Sequence, residues 1–183
     1  MKKSISPSEV RGTQAAPASK SEMQRAVAAA AIAQGRSIIT NPSFCDDSVA
    51  AISIARALGA KVEVMPQRVI IDGGLSPVTD SLNCGESGLG IRMFTPIAAL
   101  TGRHITLTGK GSLLRRPVST IEHALMELGT TVRSNNGLLP IEVYSKLRGG
   151  STVIDGSLSS QFLTGLLMAL PAAEKDSTIS VIN

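Results

Sequence analysis

Tryptophan is absent from the 183 residues, tyrosine occurs once and phenylalanine three times. Without those rings the chain has no stacking platforms of the kind that single-strand nucleic-acid binders use. Its core must be built from Ala, Leu, Ile, Val and Met. The two cysteines, Cys45 and Cys84, have neither metal-ligand spacing nor a disulfide framework, so a reduced, cytoplasmic protein is expected. No apolar run approaches the roughly 20 residues that span a bilayer, and Met1-Lys2-Lys3-Ser4 is not followed by an apolar signal segment. A membrane is therefore not among the expected partners. Charge of one sign is also scarce: 18 Lys+Arg against 14 Asp+Glu leaves only +4. That excess suits small acidic substrates at least as well as nucleic acid.

What is present describes a soluble, core-forming protein, 43% hydrophobic and 17% charged, long enough for one large or two small domains. The stretch Pro17-Ala18-Ser19-Lys20-Ser21-Glu22-Met23-Gln24-Arg25 reads as a loop capping a helix, with Ser19 or Ser21 as N-cap and Gly35 as the stop. The alanine-rich run between has high helix propensity and almost no side-chain bulk, so other backbone can approach it closely. Lys20 and Arg25 stand where unpaired helix N–H groups already favour an anion.

A long-period repeat underlies the chain. Arg25 and Arg92 occupy equivalent places, each before an apolar helix, a glycine and a strand. Ala57-Leu58-Gly59-Ala60-Lys61-Val62 recurs at nearly the same spacing as Glu127-Leu128-Gly129-Thr130-Thr131-Val132, and Gln161 follows Arg92 at that spacing again. Each unit reads helix, strand, loop, helix, strand, strand, and such a period implies units packed around an axis. Asp46 and Asp47 are expected to cap the helix ending at Leu58, and Pro117 to open the one ending at Leu128. Val118, Ile121, Ala124, Leu125 and Leu128 form the buried stripe of that second helix. Glu122 and His123 fall off the stripe and are expected to face solvent, and His104 is expected to be an ordinary strand residue.

Four cationic or polar sites recur at helix starts: Lys20-Ser21 with Arg25; Gly85-Glu86-Ser87-Gly88-Leu89-Gly90-Ile91-Arg92; Arg115-Arg116-Pro117; and Ser159-Ser160-Gln161. The glycines let backbone N–H groups come close to a ligand, and an arginine fork grips carboxylate or phosphate in bidentate fashion. If the units pack about one axis, these starts meet on one cleft floor suited to two ligands with two anionic groups each. No carboxylate pair, usable histidine or activated cysteine stands among them, so the chain reads as a binding half without its proton-transfer half.

Four motifs in order resemble the 5-enolpyruvylshikimate-3-phosphate synthases: Pro-Ala-Ser-Lys-Ser-x-x-x-Arg at 17–25, Ser-Gly-x-x-Ile-Arg at 87–92, Leu-Thr-Gly…Arg-Pro at 107–117, and Asp-Gly-Ser-x-Ser-Ser-Gln-Phe at 155–162. The resemblance implies an α/β enolpyruvyl transferase lobe of βαβαββ repeats around a pseudo-threefold axis, an inside-out α/β barrel with helices inside and sheets outside. Residues 13–183 would form the lobe, in repeats of about 13–80, 81–148 and an incomplete 149–183. Residues 1–12 would be a strand segment belonging with a missing second lobe. The family transfers the enolpyruvyl group of phosphoenolpyruvate to the 5-hydroxyl of shikimate 3-phosphate, releasing phosphate, without metal or organic cofactor; glyphosate occupies the phosphoenolpyruvate site. Carried over by position, Lys20 would lie between the two substrates, and Ser21 and Arg25 would bind shikimate 3-phosphate. Gly88 would line the phosphoenolpyruvate site and Arg116 grip that substrate. Ser159 and Ser160 would hold the acceptor's phosphate, and Gln161 would touch both ligands. Arg92 matches the arginine closing the glycine loop, for which a structural role and a ligand contact both stand open.

Two positions depart from the family pattern. Glu86 stands where many members carry asparagine, and Leu89 where many carry threonine. A carboxylate aimed into an anion site is unfavourable, so Glu86 is expected to point away, capping the turn or pairing with a cation. The acid/base residues are expected beyond Asn183, so the chain alone is expected to bind shikimate 3-phosphate weakly and to turn nothing over. Two rivals remain. UDP-N-acetylglucosamine enolpyruvyl transferases share the fold but carry lysine-asparagine where this chain has Lys20-Ser21, and a cysteine where it has Gly111-Ser112-Leu113-Leu114. A non-catalytic anion- or nucleic-acid-binding module would place its cations along an exposed stripe rather than at helix starts.

Overall fold

The computed structural model describes residues 2–157 and 160–183. Residues 2–19 form no helix or strand, and α1 (Lys20–Ile32) begins at Ser19, whose hydroxyl accepts from the Glu22 N–H at 3.3 Å. Gly35 does not stop this helix. Ala33 is already extended, and Gly35 (φ +99°) instead opens β1 (Gly35–Thr40). What ends α1 is tertiary: the Gly74 N–H donates to the Ala31 carbonyl at 3.0 Å, and Gly73 lies against the carbonyls of Ala30 and Ala33 with no room for a β-carbon. The bulk-free helix is thus approached closely by backbone, as its alanines imply.

Next come α2 (Asp46–Ala57), β2 (Lys61–Met65) and β3 (Arg68–Gly73), the strands forming an antiparallel sheet in the order β1-β3-β2. Then β4 (Ser81–Asn83), α3 (Gly88–Ala99), β5 (Ile105–Thr108), a short 3-10 turn (Gly111–Arg115), α4 (Ser119–Glu127), β6 (Val132–Asn135) and β7 (Leu138–Val143) follow. Their sheet runs β4-β5-β7-β6, with β4 parallel to β5 across α3 and the other pairs antiparallel. Finally β8 (Ser151–Asp155) and β9 (Thr178–Ile182) pair in parallel across α5 (Ser160–Ala169). A parallel pair requires such a crossover, and a helix supplies it.

The recurring Leu-Gly text is realised in hydrogen bonds. Gly59 N–H donates to Arg56 and Gly129 N–H to Met126, each at 3.0 Å. Ala60 donates to Ala55 at 3.0 Å and Thr130 to Leu125 at 2.9 Å, closing α2 and α4 with the same glycine-centred cap. The Leu58 and Leu128 carbonyls are then each taken by a returning loop, from Ser76 at 2.8 Å and Gly149 at 3.1 Å.

Besides the Gly35 stop, three more expectations need correcting. Cys45, not an aspartate, is the N-cap residue of α2, with Asp46 and Asp47 in the first turn. Pro117 precedes α4 rather than lying in its first turn, because the helix starts at Ser119. Glu122 does not simply face water: its carboxylate accepts from the Ser134 N–H at 3.3 Å and from the Ser134 hydroxyl, fastening α4 to β6. The rest of the stripe holds, with Val118, Ile121, Ala124, Leu125 and Leu128 all buried. His123 is exposed beside Glu127, and His104 precedes β5, stacked on Tyr144 with ring centroids 4.5 Å apart. At the centre lies α3, buried at every position except a half-exposed Arg92.

Candidate anion-binding site

The site grows from the start of α3. Ser87 is its N-cap, the hydroxyl accepting from the Gly90 N–H at 2.9 Å. Gly88 and Gly90 lie inside the helix rather than before it, so Arg92 sits in the second turn instead of preceding the helix. Only Gly85 (φ +59°) belongs to the turn. The Arg92 guanidinium folds back to donate to the Gly88 carbonyl at 3.0 Å. Burial, then the neighbouring charge of Arg116, pull the Arg92 pKa down from its ordinary value. A β-carbon on Gly88 would overlap the Arg116 guanidinium and stand 3.1 Å from Nη1 of Arg92. Two guanidinium groups therefore close over one bare helix start, an arrangement that favours an anion between them.

Arg116 is delivered by the 3-10 turn, and Glu86 fixes that turn by accepting from the Ser112 N–H at 3.1 Å. The same carboxylate fills the space beside Gly111 (φ +57°). Glu86 thus caps a turn, as its chemistry requires, with its carboxylate turned to Ser112 and Gly111. Leu89 faces the apolar core, 4% exposed.

The start of α1 adjoins this cluster. Lys20 Nζ is 3.0 Å from Asp47 at the start of α2. The hydrogen bond and then the charge of Asp47 raise the Lys20 pKa, while Arg116 lies close enough to act against it. Lys20 is thus held by a carboxylate whose place in the sequence points only to a helix cap. Ser21 and Arg25 follow on α1, both half-buried. A buried link, invisible to any sequence pattern, joins the two helix starts: the Ser87 hydroxyl donates to Gln24 Oε1 at 2.6 Å.

Of the remaining expected residues, Ser159 lies outside the described residues. Ser160 and Gln161 open α5, Ser160 exposed and Gln161 half-buried. That helix meets α3 through Gly165, where a β-carbon would stand 2.5 Å from the Arg92 carbonyl and 2.8 Å from Met93 Cα. The structure therefore brings Lys20, Gly88, Arg92 and Arg116 together, with α5 held beside them. A hollow of about 460 Å3, lined by Asp46, Asp47, Asn83, Gly85, Glu86 and Lys110, lies next to the arginine cluster rather than on it. A second, of about 380 Å3, is lined by Lys20, Cys45, Asp46 and Asp47.

The family model described as EPSP synthase (3-phosphoshikimate 1-carboxyvinyltransferase) matches residues 5–183. The chain belongs to the EPSP synthase family. Similar proteins include the 3-phosphoshikimate 1-carboxyvinyltransferase of Methanocorpusculum labreanum, 38% identical, covering 98% of this chain and 43% of the relative. That of Clostridium perfringens is 33% identical over 97% of this chain and 42% of its own length. The EPSP synthase of Acinetobacter baumannii superposes with a TM-score of 0.82 at 26% identity, covering 94% of this chain and 40% of that one. The enolpyruvyl transferase NikO from Streptomyces tendae, at 14% identity and a TM-score of 0.64 over 88% of this chain and 38% of its own, shares the fold. The chain thus spans less than half the length of these EPSP synthases.

Proposed function

We propose that the chain contributes the anion-gripping half of a site for enolpyruvyl transfer from phosphoenolpyruvate to the 5-hydroxyl of shikimate 3-phosphate, with release of phosphate. The observation that carries this is the pair of guanidinium groups, Arg92 and Arg116, closed over the bare helix start at Gly88. In this reading Arg116, Gly88 and Arg92 receive phosphoenolpyruvate. Ser21, Arg25, Ser159 and Ser160 hold shikimate 3-phosphate, Gln161 reaches both, and Lys20 stands between. The 5-hydroxyl gives its proton to a base as its oxygen bonds to C2 of the enolpyruvyl group, and C3 gains a proton from an acid. Loss of a C3 proton then expels phosphate from the tetrahedral adduct. Cations aimed at the phosphate and carboxylate stabilise the charge that moves. Lys20, kept protonated by Asp47, supplies charge rather than a base at neutral pH.

The acid and base for those steps come, in this proposal, from a second lobe, which residues 1–12 also join, while residues 13–183 form a lobe of repeats 13–80, 81–148 and 149–183. The setting is cytoplasmic, and glyphosate competes for the phosphoenolpyruvate pocket. Titrating the chain with shikimate 3-phosphate, phosphoenolpyruvate and UDP-N-acetylglucosamine, followed by amide NMR, tests the reading. Shifts at Gly88 and the start of α1 with the first two ligands, lost in Lys20→Ala and Arg116→Ala, are expected. Binding of the sugar nucleotide instead, or full binding by both variants, would refute it.

A further inference from the structure

Among the described residues, a pair of buried polar groups outside the proposed ligand-facing set spans the starts of α1 and α3. Gln24 is 1% exposed and Ser87 is 1% exposed, 63 residues apart in sequence. The Gln24 amide donates to the Lys20 carbonyl at 3.4 Å, and its oxygen accepts from the Ser87 hydroxyl at 2.6 Å. The Ser87 oxygen in turn accepts from the Gly90 N–H at 2.9 Å. A continuous chain of donors and acceptors therefore runs from the first residue of α1 to the first turn of α3, through groups that water does not reach. Such a buried pair is tied to one geometry, because sliding either helix would strand a polar group away from solvent.

We propose that Gln24 is a positioning residue, holding the start of α1 against the start of α3 so that Lys20 and the Gly88–Arg92–Arg116 cluster serve one ligand set. The inference rests on the function proposed above. It concerns a side chain that cannot reach a ligand, being buried between the helices. Its role is to fix a distance. Removing the tie while keeping the fold lets the two helix starts drift, so that a ligand bridging them must re-order them on binding.

The test separates positioning from simple packing. Gln24→Met alone leaves the Ser87 hydroxyl buried without an acceptor and is expected to melt lower. The double variant Gln24→Met/Ser87→Gly removes both side chains of the tie, which can be nearly neutral for stability, and glycine, unlike alanine, is tolerated at the N-cap that Ser87 provides. A merely structural pair predicts that binding recovers with stability in the double variant. The positioning role predicts that its melting temperature returns toward wild type while its affinity for shikimate 3-phosphate and phosphoenolpyruvate, read by amide NMR on the full chain, stays about tenfold weaker, the scale of one lost hydrogen bond. Ser87→Thr, which keeps both the hydroxyl and the cap, is expected to bind like wild type. A double variant that binds as tightly as wild type overturns the inference and leaves the proposed function standing, as does a Ser87→Thr variant as weak as the double. A wild-type chain that binds neither ligand overturns the function and this inference with it.

Discussion

The same chemical change, glycine to alanine, is expected to act on different properties at two positions, and the difference follows from what the new methyl group meets. At Gly73 it would overlap two main-chain carbonyl oxygens, that of Ala30 in the last turn of α1 and that of Ala33 just after it, neither of which is the tip of a flexible side chain. Overpacking of this kind costs about 1–3 kcal/mol. Displacing the neighbouring bond from the Gly74 N–H to the Ala31 carbonyl adds about 1 kcal/mol. For a chain of this size each kcal/mol lowers Tm by about 2–4 °C, so Gly73→Ala, at about 2–4 kcal/mol in all, should melt about 4–16 °C below wild type. At Gly88 the methyl meets the tip of the Arg116 side chain, which can swing aside. Alanine also suits a helix better than glycine by up to about 1 kcal/mol. Gly88→Ala should therefore melt within about 3 °C of wild type. What it loses is the guanidinium over the helix start, a charged hydrogen-bond donor worth about 1.5–3 kcal/mol. The affinity for phosphoenolpyruvate should fall about 10- to 100-fold. Thermal melts by circular dichroism and an amide NMR titration decide the matter. A Gly88→Ala protein that binds normally, or that melts as low as Gly73→Ala, would show the placement of Arg116 to be wrong.

Three further outcomes follow from the same geometry. Glu86→Ala removes the acceptor for the Ser112 N–H, so the turn carrying Arg116 should broaden in amide NMR spectra and phosphoenolpyruvate affinity should drop about threefold to tenfold, while the melting temperature moves little; unchanged spectra would exclude the coupling. Asp47→Asn breaks an ion pair in which Lys20 is largely solvated, so its stability cost at neutral pH should be small; because Asp47 raises the Lys20 pKa, the pair's contribution persists below the ordinary lysine pKa and disappears only as pH rises through the raised one, and a variant whose stability instead diverges from wild type between about pH 7 and 9 would contradict that sign. Burial pushes the Cys84 thiol up to about 12, so the unfolded chain loses this proton first and stability should fall above about pH 9, by at most about 1.4 kcal/mol per pH unit; Cys84→Ala should flatten that slope, and in the native chain a thiol reagent should label Cys45 and leave Cys84 untouched.

The sequence carries most of the local structure, because helix starts and stripes are written in neighbouring residues. Ser19 caps α1, and the α4 stripe from Val118 to Leu128 is buried as its spacing requires. The glycine-centred ends of α2 and α4 recur at the offset seen in the letters. What cannot be read is who pairs with whom across long separations. Asp47 is legible as a residue suited to a helix start, but its partner, Lys20, lies on a different helix with β1 between them. Glu122 looks solvent-facing from its place off the stripe, yet β6 brings Ser134 to it. Gln24 stands at an unassigned position of the first motif, and nothing in periodicity predicts its bond to Ser87. The pattern places the start of α3 too late because glycine argues against helix. Gly88 and Gly90 are helical nonetheless, since the Ser87 cap and complete burial outweigh their weak propensity.

The poverty in aromatic residues and the placement of the anion site have one physical origin. A site made from several helix starts requires those helices to lie close, since each end contributes only within its first turn. Ordinary helix pairs pack with axes about 8–10 Å apart, set by the side chains between them. Here the contact side chain is pared away where α5 meets α3: Gly165 lies against the α3 backbone at Arg92 and Met93. Pro96 adds to this, because without an N–H it leaves the Arg92 carbonyl unclaimed by its own helix and facing Gly165. A core filled with phenylalanine and tryptophan would stabilise more per residue, but a larger side chain at this contact would hold α5 away from α3. Under the proposed function, Gly165 is thus a small residue that lets separate helix starts serve one ligand set, and its substitution by a larger residue should be felt at the site before it is felt in the core.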